Sequence, residues 1–166
     1  MADAVDSILT QWARERPDLD ASPMGVFGRL ARAARLADVR LQEVFDAHGL
    51  DHASFDVLAT LRRSGAPYRL TPGELQRSAM VTTSAIAQRL NKLEERGLVS
   101  RTPNAADGRV IDVTLTPTGL ELIDRAVPDH VANEHRMLTG LSDRQRAQLV
   151  QLLRALTESM QRAGND

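Results

Sequence analysis

Apolar residues recur every three or four positions through most of this chain, which is the spacing of an amphipathic α-helix. The breaks in the pattern coincide with residues that end helices, such as Pro17, Gly49 and the turn Ser64–Pro67. Pro128 is expected to kink the helix that contains it. The pattern predicts five helices outside the central region, over residues 3–15, 24–47, 54–63, 116–138 and from 143 onward.

Residues 70–97 contain two shorter helical patterns, each with its own capping signal. Thr71 can cap the first helix, with Pro72 at the first helical position and Glu74 completing a capping box. The polar run 81–84 interrupts the pattern and offers hydroxyls to cap the second helix, which Gly97 ends. Two short helices joined in this way predict a helix-turn-helix.

The second of these helices has an apolar stripe and a polar face opposite to it. Ile86, Leu90 and Leu93 form the stripe. The polar face has small or hydrogen-bonding side chains, which suit close approach to base edges in a major groove. An ordinary solvated helix face gives the same pattern, so this helix alone leaves both interpretations open. The candidate DNA-contacting residues are Thr82, Thr83, Ser84, Ala87, Gln88, Arg89, Asn91 and Lys92.

The residues after this helix favour the DNA-binding interpretation. Alternating apolar and polar positions predict strands over 98–102 and 110–115, joined by the loop 103–109. A helix-turn-helix followed by a hairpin with a basic tip is a winged helix-turn-helix. The candidate DNA-contacting residues of this wing are Arg101, Asp107 and Arg109.

The order of these residues resembles the MarR family of transcriptional regulators. The similar segments are RLNKLEERGLV over 89–99, DGR over 107–109 and LTPTG over 115–119. The resemblance implies an obligate homodimer that binds a pseudo-palindromic operator in double-stranded DNA. It also implies that Arg109 enters the minor groove and that Asp107 orients it. Gly108 stands where members of the family often have a further arginine, so one backbone-contacting cation is expected to be lost.

The expected fold is mainly α-helical with a small β-wing, in a single MarR-type domain of 166 residues. Residues 51–115 are expected to form the DNA-binding lobe. The helices of residues 1–47 and 116–166 are expected to form a dimerisation region, because a lone winged helix would leave their apolar stripes uncovered. An intramolecular bundle is the alternative. The last helix has apolar residues at near-heptad spacing, at Leu149, Leu152, Leu153, Leu156 and Met160.

The net charge of −1 argues weakly against a nucleic-acid-binding protein, but the distribution of charge argues for one. Residues 62–109 contain nine lysines and arginines and four acidic residues. This local excess of positive charge, which a dimer would double, is suited to phosphate contacts.

Other classes of function have less support. The chain has no cysteine, which excludes disulfides and a thiol redox sensor. It has no apolar run of roughly 18 residues and no signal peptide, so we expect a soluble cytoplasmic protein without membrane contact. No phosphate loop, nucleophile elbow or catalytic carboxylate pair is present, so neither an enzyme nor a cofactor is expected. The four histidines are His48, His52, His130 and His135, and their spacing is poor for a metal site. A pH-responsive interface at these histidines is an alternative that the sequence leaves open.

The N-terminal half resembles a narrower branch, the urate-responsive (PecS-like) MarR regulators, which have an additional N-terminal helix. The similar residues lie in 12–20, 28–36 and 48–61. In that branch a small ligand lies between the dimer helices and the DNA-binding lobe. By position, the residues around this ligand would be Trp12, Asp56 and either Arg89 or Arg101. An anionic aromatic compound would stack on Trp12 and pair with the arginine. The simpler alternative is that Trp12 only fastens a terminal helix and that Asp56 caps a helix or forms a surface ion pair.

These observations predict a DNA-binding transcriptional repressor of the MarR type. It would bind its operator as a homodimer and would be released by an anionic aromatic ligand such as urate or a phenolic compound. The alternative is a helical small-molecule-binding or protein-interaction module that does not bind DNA.

Overall fold

The structure is a computed structural model that describes residues 2–78, 83–105 and 107–164. These residues form seven helices and three strands. The helices are α1 (Ala4–Glu15), α2 (Ser22–Ala47), α3 (His52–Arg63), α4 (Pro72–Ser78), α5 (Thr83–Glu95), α6 (Pro117–Met137) and α7 (Asp143–Ala163). The strands are β1 (Arg69–Leu70), β2 (Val99–Pro103) and β3 (Ile111–Leu115).

The capping signals of the sequence explain where the helices begin. The predicted box at α4 is confirmed, since the Thr71 N–H donates to the Glu74 carboxylate at 2.8 Å. Helix α3 begins two residues earlier than expected, because the Asp51 side chain accepts the Ser54 N–H at 2.9 Å and so caps it. Helix α2 also begins two residues early, because a proline is tolerated in its first turn.

The helix ends follow the glycines of the sequence. Gly49 after α2 and Gly97 after α5 have φ values of +63° and +67°, the left-handed region that a residue with a side chain rarely adopts. Pro128 lies inside α6, which continues past it to Met137.

The sheet has the antiparallel order β1-β3-β2. Strands β2 and β3 form the predicted hairpin, with Val99 opposite Leu115 and Pro103 opposite Ile111. Strand β1 was not predicted, because two residues are too short to show an alternating pattern. It pairs with the C-terminal end of β3 and so attaches the wing to the rest of the lobe.

One hydrophobic core joins α2 to α6 and the sheet, and it fixes α5 against the hairpin. Each large side chain in it contributes about 1.5–3 kcal/mol through removal from water. Its fully buried members come from α2, α3, α4, α5, the sheet and α6, and include Phe45, Leu58, Leu61, Leu75, Leu93, Val99, Val113 and Ile123.

Helix α7 differs from the others because none of its residues is buried in the chain. Among the described residues it makes at most marginal contact with other helices or strands. Its exposed apolar residues are Leu149, Val150, Leu152, Leu153 and Met160. No described helix has both the length and the apolar character needed to cross a membrane.

Candidate nucleic-acid interface

Helix α5 presents a polar face to solvent because its opposite face is fixed in the core. Leu90 and Leu93 are buried, and Gln88, Asn91 and Lys92 are exposed. These three side chains provide an amide donor and acceptor at two positions and a cation at the third, a combination that suits base edges and phosphates.

The beginning of this interface is only partly described. Thr82 lies outside the described residues. The expected hydroxyl cap at residues 81–84 depends on Thr82 and on side chains that are not described, so it stays a prediction. Thr83, Ser84 and Ala87 belong to α5, but their side chains also lie outside that description, as does that of Ile86. Their contacts with DNA stay predictions.

Arg89 lies on a different side of α5 from Gln88 and Asn91. Its guanidinium is 2.7 Å from the Asp51 carboxylate, and its side chain is 26% exposed. Because Asp51 also caps α3, this ion pair ties the middle of α5 to the beginning of α3. Arg89 would therefore have to leave Asp51 before it could contact DNA.

Arg101 forms the second ion pair of the interface. Its Nε donates to the Glu94 carboxylate at 2.8 Å, and its backbone N–H donates to the same group at 3.2 Å. The hydrogen bond from the Arg101 side chain lowers the pKa of Glu94 below its usual value. This pair joins strand β2 to the last turn of α5, so that helix and wing are held at a fixed angle.

The wing tip presents Arg109 to solvent. Its backbone N–H donates to the Asp107 carboxylate at 3.0 Å, and the Val110 N–H donates to the Asp107 carbonyl at 2.9 Å. Asp107 therefore orients the backbone of Arg109. Within the part of the chain that the structure describes, the side chains of Arg109 and Lys92 form no ion pair.

Asp112 is a further residue of the wing, which the sequence did not single out. It is 3% exposed and is the second residue of the central strand β3. It accepts hydrogen bonds from Asn104 at 3.0 Å and from Arg69 at 3.2 Å. The hydrogen bond from Asn104 contributes most to lowering the pKa of the Asp112 carboxyl. In the alternating pattern of this strand, a charged residue at position 112 predicts a side chain that faces solvent. The sequence therefore contains no indication that Asp112 is buried.

The candidate ligand residues lie on separate elements. Trp12, 37% exposed, is on α1, which packs mainly against α2. Asp56 is half-buried on α3. Of the two candidate arginines, Arg89 reaches the beginning of α3, whereas Arg101 is held at Glu94 on α5.

Three of the four histidines take part in packing between α2, α3 and α6, and the ring of His52 lies 5.5 Å from that of Phe45. The ring of His130 lies 5.5 Å from that of Phe45 and 4.6 Å from that of Phe55. His48 Nε2 is 2.9 Å from the Asp129 carboxylate. In the described residues, no three histidines, cysteines or acidic residues come together as a metal site would require.

This geometry agrees with what comparison with known proteins finds. A model of the MarR family matches residues 48–110. The HTH-type transcriptional regulator PecS of Dickeya dadantii is 42% identical over 149 residues, which are 90% of each chain. The chain belongs to the MarR family.

Solved structures agree with this assignment. Sco3205, a MarR family regulator from Streptomyces coelicolor solved in complex with DNA, superposes with a TM-score of 0.77 at 27% identity, covering 86% of this chain and 90% of its own. BpsR of Bordetella bronchiseptica, whose DNA binding is regulated by 6-hydroxynicotinic acid, gives a TM-score of 0.72 at 26% identity, covering 80% and 92%.

This MarR-family chain is therefore a DNA-binding transcriptional regulator with a winged helix-turn-helix, which confirms the fold and the class of function expected from the sequence. PecS and Sco3205 are both named as regulators and not as enzymes.

Proposed function

We propose that the protein is a homodimeric repressor that binds a pseudo-palindromic operator and is released by a small anionic aromatic compound. The observation that carries the proposal is the surface of α5 and the wing. Gln88, Asn91 and Lys92 are exposed on α5, and Arg109 is exposed at the wing tip. In this proposal α5 enters the major groove, and Arg109 enters the adjacent minor groove, whose negative potential attracts a cation.

The state of α7 supports a homodimer. A helix with an apolar face and no buried residue is stable in water only if something covers that face. A twofold axis would let the two copies of α7 cover each other or the partner's α2, where Leu36 and Val39 are also exposed. Such an axis would repeat α5 on two half-sites about one helical turn of DNA apart.

The DNA contact is tested by fluorescence anisotropy with the duplex upstream of the protein's own gene. Removing Lys92 should reduce the slope of log K against log salt by about 0.9 per copy, because one phosphate contact is lost. Arg109→Ala should weaken binding and abolish any preference for A·T-rich flanks, since those flanks narrow the minor groove. Arg125→Ala is the control, because Arg125 is exposed on α6, outside both this surface and α7.

Two results would overturn the DNA part of this proposal. One is the absence of binding at low salt by the unaltered protein. The other is an unchanged salt slope for Lys92→Ala together with unchanged affinity for Arg109→Ala. A helical binding module that does not use DNA predicts the first result, whereas the second would mean that DNA is bound by another surface.

The ion pair between Arg89 and Asp51 supports a ligand-responsive equilibrium. An anionic compound near α3 would compete with Asp51 for the Arg89 guanidinium, and an aromatic ring could stack on Trp12. Since Arg89 belongs to α5, such competition would shift the recognition helix to the extent that the ligand binds one arrangement more tightly than the other. That BpsR, a 26% identical relative, is regulated by 6-hydroxynicotinic acid agrees with this chemistry.

The ligand part has a direct readout because Trp12 is the single tryptophan of the chain. Urate and salicylate are titrated while intrinsic fluorescence and operator binding are followed together. We expect quenching of Trp12 and release of DNA at the same concentrations, with the release reduced in Arg89→Lys, which keeps the charge but loses the planar fork. Unchanged fluorescence and unchanged DNA binding with both compounds would contradict release by urate or a phenolic acid.

A further inference from the structure

A buried carboxylate begins a chain of hydrogen bonds that ends at the wing tip. Asp112 lies in β3 and accepts from the side-chain N–H groups of Asn104, at 3.0 and 3.1 Å, and from the Arg69 guanidinium at 3.2 Å. Arg69 belongs to β1, so Asp112 contacts one partner on each side: the body of the lobe through β1 and the loop of the wing through Asn104.

Asn104 continues this chain with the other end of its side chain. Its amide oxygen accepts the Asp107 N–H at 3.2 Å, and the Asp107 carboxylate accepts the Arg109 N–H at 3.0 Å. Because an ionised carboxylate only accepts hydrogen bonds, Asp112 forces the NH₂ group of Asn104 towards itself and the oxygen towards Asp107. The orientation of this one amide therefore decides whether the loop can close in the observed way.

The side chain at position 112 costs free energy to bury, so packing alone does not explain it. An apolar residue in the central strand would avoid the desolvation of a charge, and replacing a buried ion pair by apolar residues is often neutral or stabilising. An apolar residue, however, could not hold Asn104. The cost of burial is therefore better explained by a requirement for a defined loop than by stability.

We propose that Asp112 is a positioning residue for DNA binding, which acts through Asn104 and Asp107 to hold Arg109 in the orientation that the minor groove requires. The inference depends on the proposed contact of Arg109 with DNA. Exposed loop tips are ordinarily mobile, and ordering them on binding reduces affinity. A loop that is already held by a buried group avoids that loss.

The first test measures the wing without DNA. In the full-length Asp112→Leu protein, amide hydrogen exchange at Arg109 and Val110 should become at least about tenfold faster, since the loop opens more often. Asn104→Ala should do the same while leaving the interior of the sheet intact, so a folding failure of the first variant does not prevent the test. Asp124→Asn is the control, because Asp124 lies on α6 and pairs at 2.6 Å with Arg62 of α3, not with a residue of the wing.

The second test is a double-mutant cycle on operator binding. Asp112→Leu should weaken binding by about tenfold, because the side chain of Arg109 would then lose its freedom only on binding. Arg109→Ala should then add little in the Asp112→Leu background, although it weakens the unaltered protein. Asp112→Asn should be intermediate, because its oxygen can still accept from Asn104 while its NH₂ group faces Arg69. A purely structural role would instead lower the melting temperature and leave the two effects additive.

Two results would overturn the proposal: unchanged exchange at the wing tip in both Asp112→Leu and Asn104→Ala, or additive effects of Asp112→Leu and Arg109→Ala. A different failure is also recognisable. If Arg109→Ala does not change operator affinity in the unaltered background, the minor-groove contact itself is wrong, and Asp112 cannot act on DNA binding through it.

Discussion

The exposed face of α7 makes a quantitative prediction about Leu152. This side chain is 68% exposed in the single chain, so most of its apolar surface is still available for burial by a partner. Complete burial of a leucine is worth about 1.5–3 kcal/mol, which leaves roughly 1–2 kcal/mol for the exposed part of this side chain. A twofold dimer contains the residue twice. Leu152→Ala should therefore weaken dimerisation by about 2–4 kcal/mol, or roughly 30- to 700-fold in the dissociation constant.

Analytical ultracentrifugation over a wide concentration range measures this constant directly. Ile111→Ala is the matched control, since Ile111 is an exposed apolar residue on the wing and should leave the dimer constant unchanged. Operator binding by Leu152→Ala should become steeply dependent on protein concentration, because only dimers occupy both half-sites. If the unaltered protein is monomeric, or if Leu152→Ala dimerises as tightly as the unaltered protein, α7 does not form the interface.

Two further predictions concern stability. Gly119→Ala should lower the free energy of unfolding by about 1–3 kcal/mol in urea titrations, because a Cβ there would lie 1.9 Å from the Leu98 carbonyl oxygen. Gly140→Ala is the control. A Cβ at Gly140 meets no atom within 4 Å, so this change should be close to neutral. The pKa of Glu94 is lower in the folded state than its usual value. Its pair with Arg101 therefore stabilises the protein fully at pH values above the usual glutamate pKa, and this stabilisation is lost as the pH falls through the lowered pKa of the folded state. Glu94→Gln should therefore flatten the decline of melting temperature below about pH 4, and an unchanged decline would contradict a stabilising pair.

The features that could be predicted from sequence are those that depend on neighbouring residues. The reciprocal bonds of Thr71 and Glu74 join residues three apart, and Gly49 and Gly97 end helices through their own backbone conformation. The exposed face of α5 follows from the burial of Leu90 and Leu93, which the helical period already implied. Such signals are contained in a few consecutive residues, so tertiary packing did not change them.

The features that were missed depend on residues far apart in the chain. Strand β1 exists only because Arg69 and Leu70 meet the end of β3. The ion pair between Arg69 and Asp112 joins residues 43 positions apart, and that between Arg62 and Asp124 joins residues 62 apart. No local pattern distinguishes an aspartate that will be buried by such a partner from one that will face water.

The ion pairs also change what the charge of the DNA-binding lobe means. Of the nine cations between residues 62 and 109, at least four are paired with carboxylates in the described structure: Arg62, Arg69, Arg89 and Arg101. An arginine that stays paired with its carboxylate neutralises no phosphate, so it releases no counterions from the DNA. Contacts by the five remaining cations would give a salt slope of about −9 for a dimer, against about −16 if all nine took part. A measured slope near the larger value would mean that these ion pairs open on DNA, and the present arrangement of α5 and the wing would then be that of the free protein alone.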